Sequence, residues 1–167
     1  MAEDRFAEEV FWVRPDFRGV LPLDNFHISR SLQKIVRQDR FEIRIDTSFR
    51  QVMENCAMPQ SHREQTWINN QILDAYCELH DMGCAHSVET WYEDRLVGGL
   101  YGLSIGSAFF GESMFSVVSN ASKVALVHLV GRLKAGGYTL LDTQFQNNHL
   151  EQFGTIEIAA EDYLLLL

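Results

Sequence analysis

The sequence predicts one α/β domain with a mixed, mostly antiparallel sheet flanked by helices. Three observations point there. Before residue 85, apolar residues recur mainly at helical spacing. From His86 the period changes to two over three consecutive segments. A long apolar helix and a further strand then follow. A chain of 167 residues can close one core that buries roughly two-thirds of its unfolded surface. No repeat, low-complexity tract or long linker divides it, so residues 1–167 read as a single domain.

Residues 1–25, with Pro15, Gly19 and Pro22, read as irregular. After His27, the spacing Ile28, Leu32, Ile35, Val36 is helical, with basic residues on the other face. Phe41-Glu42-Ile43-Arg44-Ile45 alternates and reads as a strand. Asp46 or Thr47 then offers an N-cap for a helix burying Phe49, Val52, Met53 and Cys56. A loop around Pro59 leads to Trp67, and a helix from about Asn69 to Met82 stops at Gly83. His86–Tyr92, Leu96–Leu103 and Ala108–Phe115 form an antiparallel meander with short turns at 93–95 and 106–107. Asn120 caps a helix through Val124, Leu126, Val127, Val130 and Leu133 that ends at Gly136-Gly137. Thr139–Phe145 is a strand, followed by a short helix near His149, a strand near Ile156 and a terminal helix from Glu161. This order resembles the N-acetyltransferase-like (GNAT-like) α/β fold.

Apolar residues make up 46% and charged residues 22%, a globular composition. No apolar run approaches the ~20 residues that cross a bilayer, and Met1-Ala2-Glu3-Asp4-Arg5 is too acidic for a secretory signal. Cys56, Cys77 and Cys84 lack CxxC spacing and read as free thiols in a reducing cytoplasm. His80 and His86 do not make a zinc spacing and read as structural, so no metal is expected. The net charge of −9 disfavours general nucleic-acid binding. Residues 26–50 nevertheless carry six basic groups against three acidic, whereas 51–167 carry five against fourteen. Arg30, Lys34 and Arg37 share one helical face. That face suits an RNA element or simply solvent, and charge alone leaves both open.

Several stretches carry a resemblance. They are Phe26-His27-Ile28-Ser29-Arg30-Ser31-Leu32, Thr66-Trp67-Ile68, Ala85-His86-Ser87-Val88-Glu89-Thr90-Trp91 and Leu96-Val97-Gly98-Gly99-Leu100-Tyr101-Gly102. Phe110-Gly111-Glu112-Ser113-Met114-Phe115-Ser116, Asn120-Ala121-Ser122-Lys123 and Leu141-Asp142-Thr143-Gln144 complete the set. In this order they resemble the leucyl/phenylalanyl-tRNA–protein transferase family, over almost the whole chain. The resemblance implies a GNAT-like fold that takes Leu or Phe, and less well Met, from aminoacyl-tRNA. The acceptors are proteins with N-terminal Arg or Lys, which are thereby marked for N-degron degradation in the bacterial cytoplasm. No cofactor is implied, and a monomer is expected. Family members carry some tens of residues before the position of Met1, so residues 1–25 are expected to be the remnant of an N-terminal region.

The implied reaction is attack of an α-amine, whose reference pKa is near 8, on an ester. Positioning alone contributes about 7–11 kcal/mol to such a step. Asp142 and Gln144 sit two apart in a strand and are expected to face the same way. A carboxylate accepting from the Gln144 NH2 would sharpen its oxygen as an acceptor for the amine's proton. The family's matching residues have this relay. Read alone, the pair is equally a hydrogen-bonded strand end. Glu112, in an apolar run, needs a partner; the resemblance places it at the aminoacyl-adenosine end, and a salt bridge is the alternative. Leu100, Phe109, Met114, Ser116, Leu126, Leu129 and Leu141 match the pocket for the Leu or Phe side chain, though periodicity alone makes the apolar ones core. Trp67 matches a residue that stacks on the terminal adenine, and by itself reads as a buried aromatic at the start of a helix. His27, Arg30, Lys34 and Arg37 are the candidate tRNA-docking surface. Gly98, Gly99 and Gly111 admit a ligand or another backbone.

Two other classes remain. An acetyl-CoA N-acetyltransferase wants a glycine-rich loop opening the helix that follows the meander, and Ser116-Val117-Val118-Ser119-Asn120-Ala121-Ser122 has no glycine. A non-catalytic module that binds aminoacyl ends is the second.

Overall fold

The computed structural model describes residues 1–59, 66–146 and 148–167. The chain runs through β1 (Phe17–Val20), a 3-10 turn (Leu23–Asn25), α1 (Arg30–Arg37), β2 (Glu42–Ile45), α2 (Phe49–Cys56) and α3 (Asn70–Asp81). It continues through β3 (Ala85–Tyr92), β4 (Arg95–Ile105), β5 (Ala108–Ser116), α4 (Ala121–Ala135), β6 (Leu140–Gln144), α5 (Asn148–Glu151), β7 (Ile156–Ala159) and α6 (Ala160–Leu164). One sheet has the order β2-β3-β4-β5-β6-β1-β7. Its pairs are antiparallel except β5 with β6, which are parallel. The mixed, mostly antiparallel α/β architecture is the one expected.

The irregular reading of residues 1–25 needs correction. Phe17–Val20 form a strand inserted between β6 and β7. Four residues are too few to display a period, and the partners lie more than a hundred residues away. Upstream, Ala2 bridges to Val10 and is itself buried.

The sheet separates two cores. On one face Leu32 of α1 and Val124, Ala125, Leu126 and Leu129 of α4 pack with Val97, Leu100 and Phe109. On the other, α2 and α3 contribute Phe49, Val52, Met53, Ile72 and Leu73 against Tyr101 and Phe115. With both faces covered, β4 is buried from Val97 to Gly102, as a central strand must be. Gly98 lets α4 approach: a Cβ there would lie 2.5 Å from the Ala121 Cβ. At Gly99 a Cβ would meet the Val88 carbonyl at 2.9 Å. Both glycines therefore make room for protein, not ligand.

Helix ends follow local chemistry. Ser29 Oγ accepts from Leu32 N, and Asn69 Oδ1 from Ile72 N at 2.8 Å. Gly83, at φ 75°, closes α3. Two expected caps are not made. Neither Asp46 nor Thr47 caps α2, which follows Ser48. The Glu89 carboxylate of β3 instead accepts the Thr47 and Ser48 N–H groups at 2.9 and 2.8 Å. Asn120 takes a left-handed conformation without capping, and Ser116 Oγ accepts from Ser122 N at 3.2 Å. The Ser87-x-Glu89-x-Trp91 stretch has a structural reason: Glu89 is fully buried and also accepts from Thr47 Oγ1, Ser87 Oγ and Trp91 Nε1.

Candidate active site

β5 and β6 pair only over Ala108–Leu140, Phe109–Leu141 and Phe110–Asp142. Beyond that they part. β5 stays with β4, whereas β6 turns away at Gln144, whose φ of 65° is left-handed. A bulge on β5 lies at this fork. Tyr101 pairs with Ser113 and Gly102 with Gly111, so Glu112 is the extra residue. Bulges re-aim a side chain and often sit beside functional sites. The fork is thus built from strand geometry alone.

At the fork Gln144 Nε2 donates to Glu112 Oε2 at 2.5 Å and to the Gly111 carbonyl at 3.3 Å. Tyr76, from α3, gives its hydroxyl to the same carboxylate. Among the described residues, none donates to Gln144 Oε1. Burial raises the Glu112 carboxyl above its ordinary range, against hydrogen bonds from Tyr76 and Gln144 that pull it down. Burial, then the Glu112 charge, raises the Tyr76 phenol, so it remains a donor. A carboxylate accepting from the amide NH2 shifts electron density toward the amide oxygen. Among the described residues that oxygen receives no donor, and it can accept at the fork.

The expected contact between Asp142 and the Gln144 side chain is not made. A bulge defeats the alternation: Gly19 pairs with Gln144 and Val20 with Asp142, so Thr143 is inserted. Asp142, fully buried, accepts the backbone N–H of Gln144 at 2.6 Å on Oδ1. Its Oδ2 receives Arg18 of β1 and the Tyr163 hydroxyl of α6. The guanidinium carbon lies 5.1 Å from the Tyr163 ring centre. Burial opposes the Arg18 charge, but Asp142 outweighs it and the guanidinium is held above its ordinary pKa. Burial first, then Asp142, raises the Tyr163 phenol. The carboxylate on the amide is Glu112.

Of the expected pocket, Leu100, Phe109, Leu126, Leu129 and Leu141 are buried in the core under α4. Met114 is half-buried against them, and Ser116 is exposed where β5 ends. A cleft of about 540 Å³ lies elsewhere, between Phe41, Trp91, Tyr92, His128 and Arg132. Arg40 covers the Phe41 and Tyr92 rings at 5.0 Å each, and burial, then Arg132, lowers the His128 pKa. A second, of about 270 Å³, lies beside Arg18 and Tyr163. None of the seven pocket residues lines either cleft.

Trp67 is half-buried against the α2–α3 cluster, against which Tyr76 also packs. His27, Arg30, Lys34 and Arg37 are all exposed, because Leu32, Ile35 and Val36 turn α1's other side toward α4. His80 stacks on Phe49 with centroids 4.3 Å apart, and His86 Nδ1 lies 2.8 Å from Asp46 Oδ2. None of Cys56, Cys77 and Cys84 is in a disulfide. Among the described residues no three potential ligands gather around a metal site, and no helix is long and apolar enough to cross a membrane. Sequence reasoning missed Arg18, Tyr76 and Tyr163. Arg18 lay in a segment read as irregular, and Tyr76 lay inside the helix expected from Asn69 to Met82 with no sign of its partner. Tyr163 lay in the terminal helix with no sign of its partner.

Residues 20–167 match the family described as leucyl/phenylalanyl-tRNA protein transferase. Curated relatives of that name include one from Zymomonas mobilis, 57% identical over 98% of this chain and 61% of the relative. Another, from Rhizorhabdus wittichii, is 56% identical over 100% of this chain and 67% of the relative. A third, from Maricaulis maris, is 56% identical over 98% and 76%. The chain thus spans about three-fifths to three-quarters of these relatives. Among solved structures, FemX matches with TM-score 0.68 at 8% identity, over 94% of this chain and 62% of that one. L-PGS from Bacillus licheniformis matches with TM-score 0.50 at 13% identity, over 81% and 52%. At these identities the likeness is one of fold, and that fold is GNAT-like. The sequence matches go further: the chain belongs to the leucyl/phenylalanyl-tRNA–protein transferase family.

Proposed function

We propose that the chain transfers Leu or Phe from aminoacyl-tRNA to the N-terminal α-amine of a protein. The observation that carries this reading is the Glu112–Gln144 pair at the β5–β6 fork, whose amide oxygen receives no donor among the described residues. The amine nitrogen attacks the ester carbonyl, an N–C bond forms, and the C–O bond to the terminal ribose breaks. The amine's proton passes by way of Gln144 Oε1 to the departing ribose oxygen. Glu112, held by Tyr76, polarises the carboxamide. No covalent enzyme intermediate is needed, since an ester is already an activated acyl donor and the site's task is orientation.

In this reading the donor side chain lies against Met114, with Leu100, Phe109, Leu126, Leu129 and Leu141 behind it and Ser116 at the rim. A methylene changes affinity by only ~1–3 kcal/mol, so Met is accepted less well than Leu. Trp67 stacks on the terminal adenine. His27, Arg30, Lys34 and Arg37 receive tRNA phosphates. The acceptor begins with Arg or Lys, drawn by an acidic chain of net charge −9, and the product is an N-degron substrate in the cytoplasm. A monomer suffices, because every group named lies on one chain. The acetyl-CoA reading is disfavoured by Ser116 Oγ, which already occupies the Ser122 N–H that a pyrophosphate would take.

The test is incubation with radiolabelled Leu-tRNA or Phe-tRNA and a protein bearing N-terminal Arg, with Gln144→Ala alongside. Label in the acceptor that is lost in the variant supports the transferase. Donor binding without transfer leaves the non-catalytic module.

A further inference from the structure

We propose that Arg18, Asp142 and Tyr163 form a latch that acts on transfer through the backbone of Gln144. The Asp142 carboxylate fixes the Gln144 N–H and with it the turn that aims the side chain at Glu112. The inference rests on the reading of Gln144 as the acceptor of the amine's proton.

A glutamine at φ 65° is in a sparsely populated conformation, and such residues persist where their surroundings over-determine them. Here the determining bond is Asp142 Oδ1 on Gln144 N at 2.6 Å. At the Thr143 bulge the Gln144 backbone N–H donates to Asp142, while the Gln144 side chain donates to Glu112. Oδ2 is occupied by Arg18 and Tyr163. Asp142 is also 0% exposed, out of reach of any substrate. It is therefore a positioning residue, and Arg18 and Tyr163 position it in turn. Arg18 comes from β1 and Tyr163 from α6, so the latch ties one strand and the last helix to the turn that carries Gln144. Arg18 Nε is buried with no hydrogen-bond partner among the described residues. A buried donor left unmet is costly, which suits a guanidinium placed for Asp142 and not for its own satisfaction.

The latch needs an acceptor at Oδ1, not a charge. Asp142→Asn keeps that oxygen, and pairing it with Arg18→Met removes the cation that the amide cannot neutralise. We expect Asp142→Ala to lower kcat by about 30-fold or more, with KM for the aminoacyl donor within about threefold. The Asp142→Asn/Arg18→Met pair should recover about tenfold of that loss. Hydrogen exchange at the Gln144 amide, read in the full chain without substrate, should be fast in Asp142→Ala and slow in wild type and the pair. Equal losses of kcat in Asp142→Ala and the pair, with the amide protected in the pair, would mean that charge and not the acceptor matters, and would overturn the latch. Unchanged exchange in Asp142→Ala would overturn it as well. If Gln144→Ala keeps wild-type kcat, the proposed function fails first; the exchange measurement tells that failure from this one.

Discussion

The Glu112 carboxylate and the Gln144 carboxamide, 32 residues apart in sequence, meet at 2.5 Å across the fork between β5 and β6. Burial raises the folded-state pKa of Glu112. Such a group adds stability in its protonated form, fully below its unfolded pKa of ~4.3, and loses it as pH rises through the folded value. Once ionised, the carboxylate is thus a burden on the fold. Glu112→Gln should melt no lower than wild type at pH 7, with any advantage shrinking toward pH 4, while transfer falls by about 10- to 100-fold. Calorimetry across this range, with the labelling assay beside it, checks both halves. A melting point lowered at pH 7, with transfer intact, would contradict each.

The same carboxyl should set an acid limb to the proposed transfer. Below pH 8 the rate should fall because the α-amine protonates, and that part is removed by dividing by the neutral fraction. The corrected wild-type rate should still decline as Glu112 takes its proton, at a pH above the ordinary carboxyl range. Glu112→Gln lacks this second decline, so its corrected profile is flat. A second decline that survives in the variant would assign it to another group.

Glu89 is a structural carboxylate. It accepts from Thr47 N, Ser48 N, Ser87 Oγ and Trp91 Nε1 at 2.8–2.9 Å, and from Thr47 Oγ1. Removing it takes the acceptor from five donors, three of them on the buried or half-buried Ser48, Ser87 and Trp91. Glu89→Ala should cost about 3 kcal/mol or more in urea unfolding. Glu89→Gln presents an NH2 where donors converge and should fall between. A loss under about 1 kcal/mol for the alanine would mean that water replaces the carboxylate.

Glycines distinguish packing from propensity. A Cβ at Gly102 would stand 2.3 Å from the Phe110 carbonyl, and one at Gly98 2.5 Å from the Ala121 Cβ. Each alanine forces strands or α4 apart and should destabilise by about 1–3 kcal/mol. At Gly131, within α4, a Cβ meets nothing within 4 Å. Gly131→Ala should stabilise by about 0.5–1 kcal/mol, the helix-propensity difference. Opposite signs in one denaturation series are the expected result.

Periodicity reported what it physically encodes. β3, β4, β5 and α4 were legible because long alternating or helical runs repeat many times, and Asn69 and Gly83 bracket α3 with local chemistry. Phe17–Val20 escaped, since a four-residue strand has no pattern and its neighbours, β6 and β7, come at the other end of the chain. The site divided in the same way. Motifs singled out Glu112, Asp142 and Gln144, but which carboxylate holds the amide depends on bulges at Glu112 and Thr143. One extra residue reverses every later side chain. Register is a property of two strands, and neither sequence shows it alone.

The basic face of α1 offers a quantitative test of RNA docking. Arg30, Lys34 and Arg37 are exposed and make no ion pair among the described residues. Arg50, on α2 across the sheet, is paired with Asp74 at 2.9 Å. A cation that meets a phosphate releases a counterion, so each such cation removed should flatten the plot of log K against log salt by about 0.7–0.9. Alanine at all three positions should reduce the slope by about two to three and raise KM for aminoacyl-tRNA, leaving kcat at saturation near wild type. Arg50→Ala should change neither. Because these cations are assigned to tRNA phosphates and not to the reacting groups, a minimal aminoacyl-nucleoside donor should react equally with wild type and the triple variant. A slope unchanged in the triple variant would leave these side chains as a solvated face and move the tRNA to another surface.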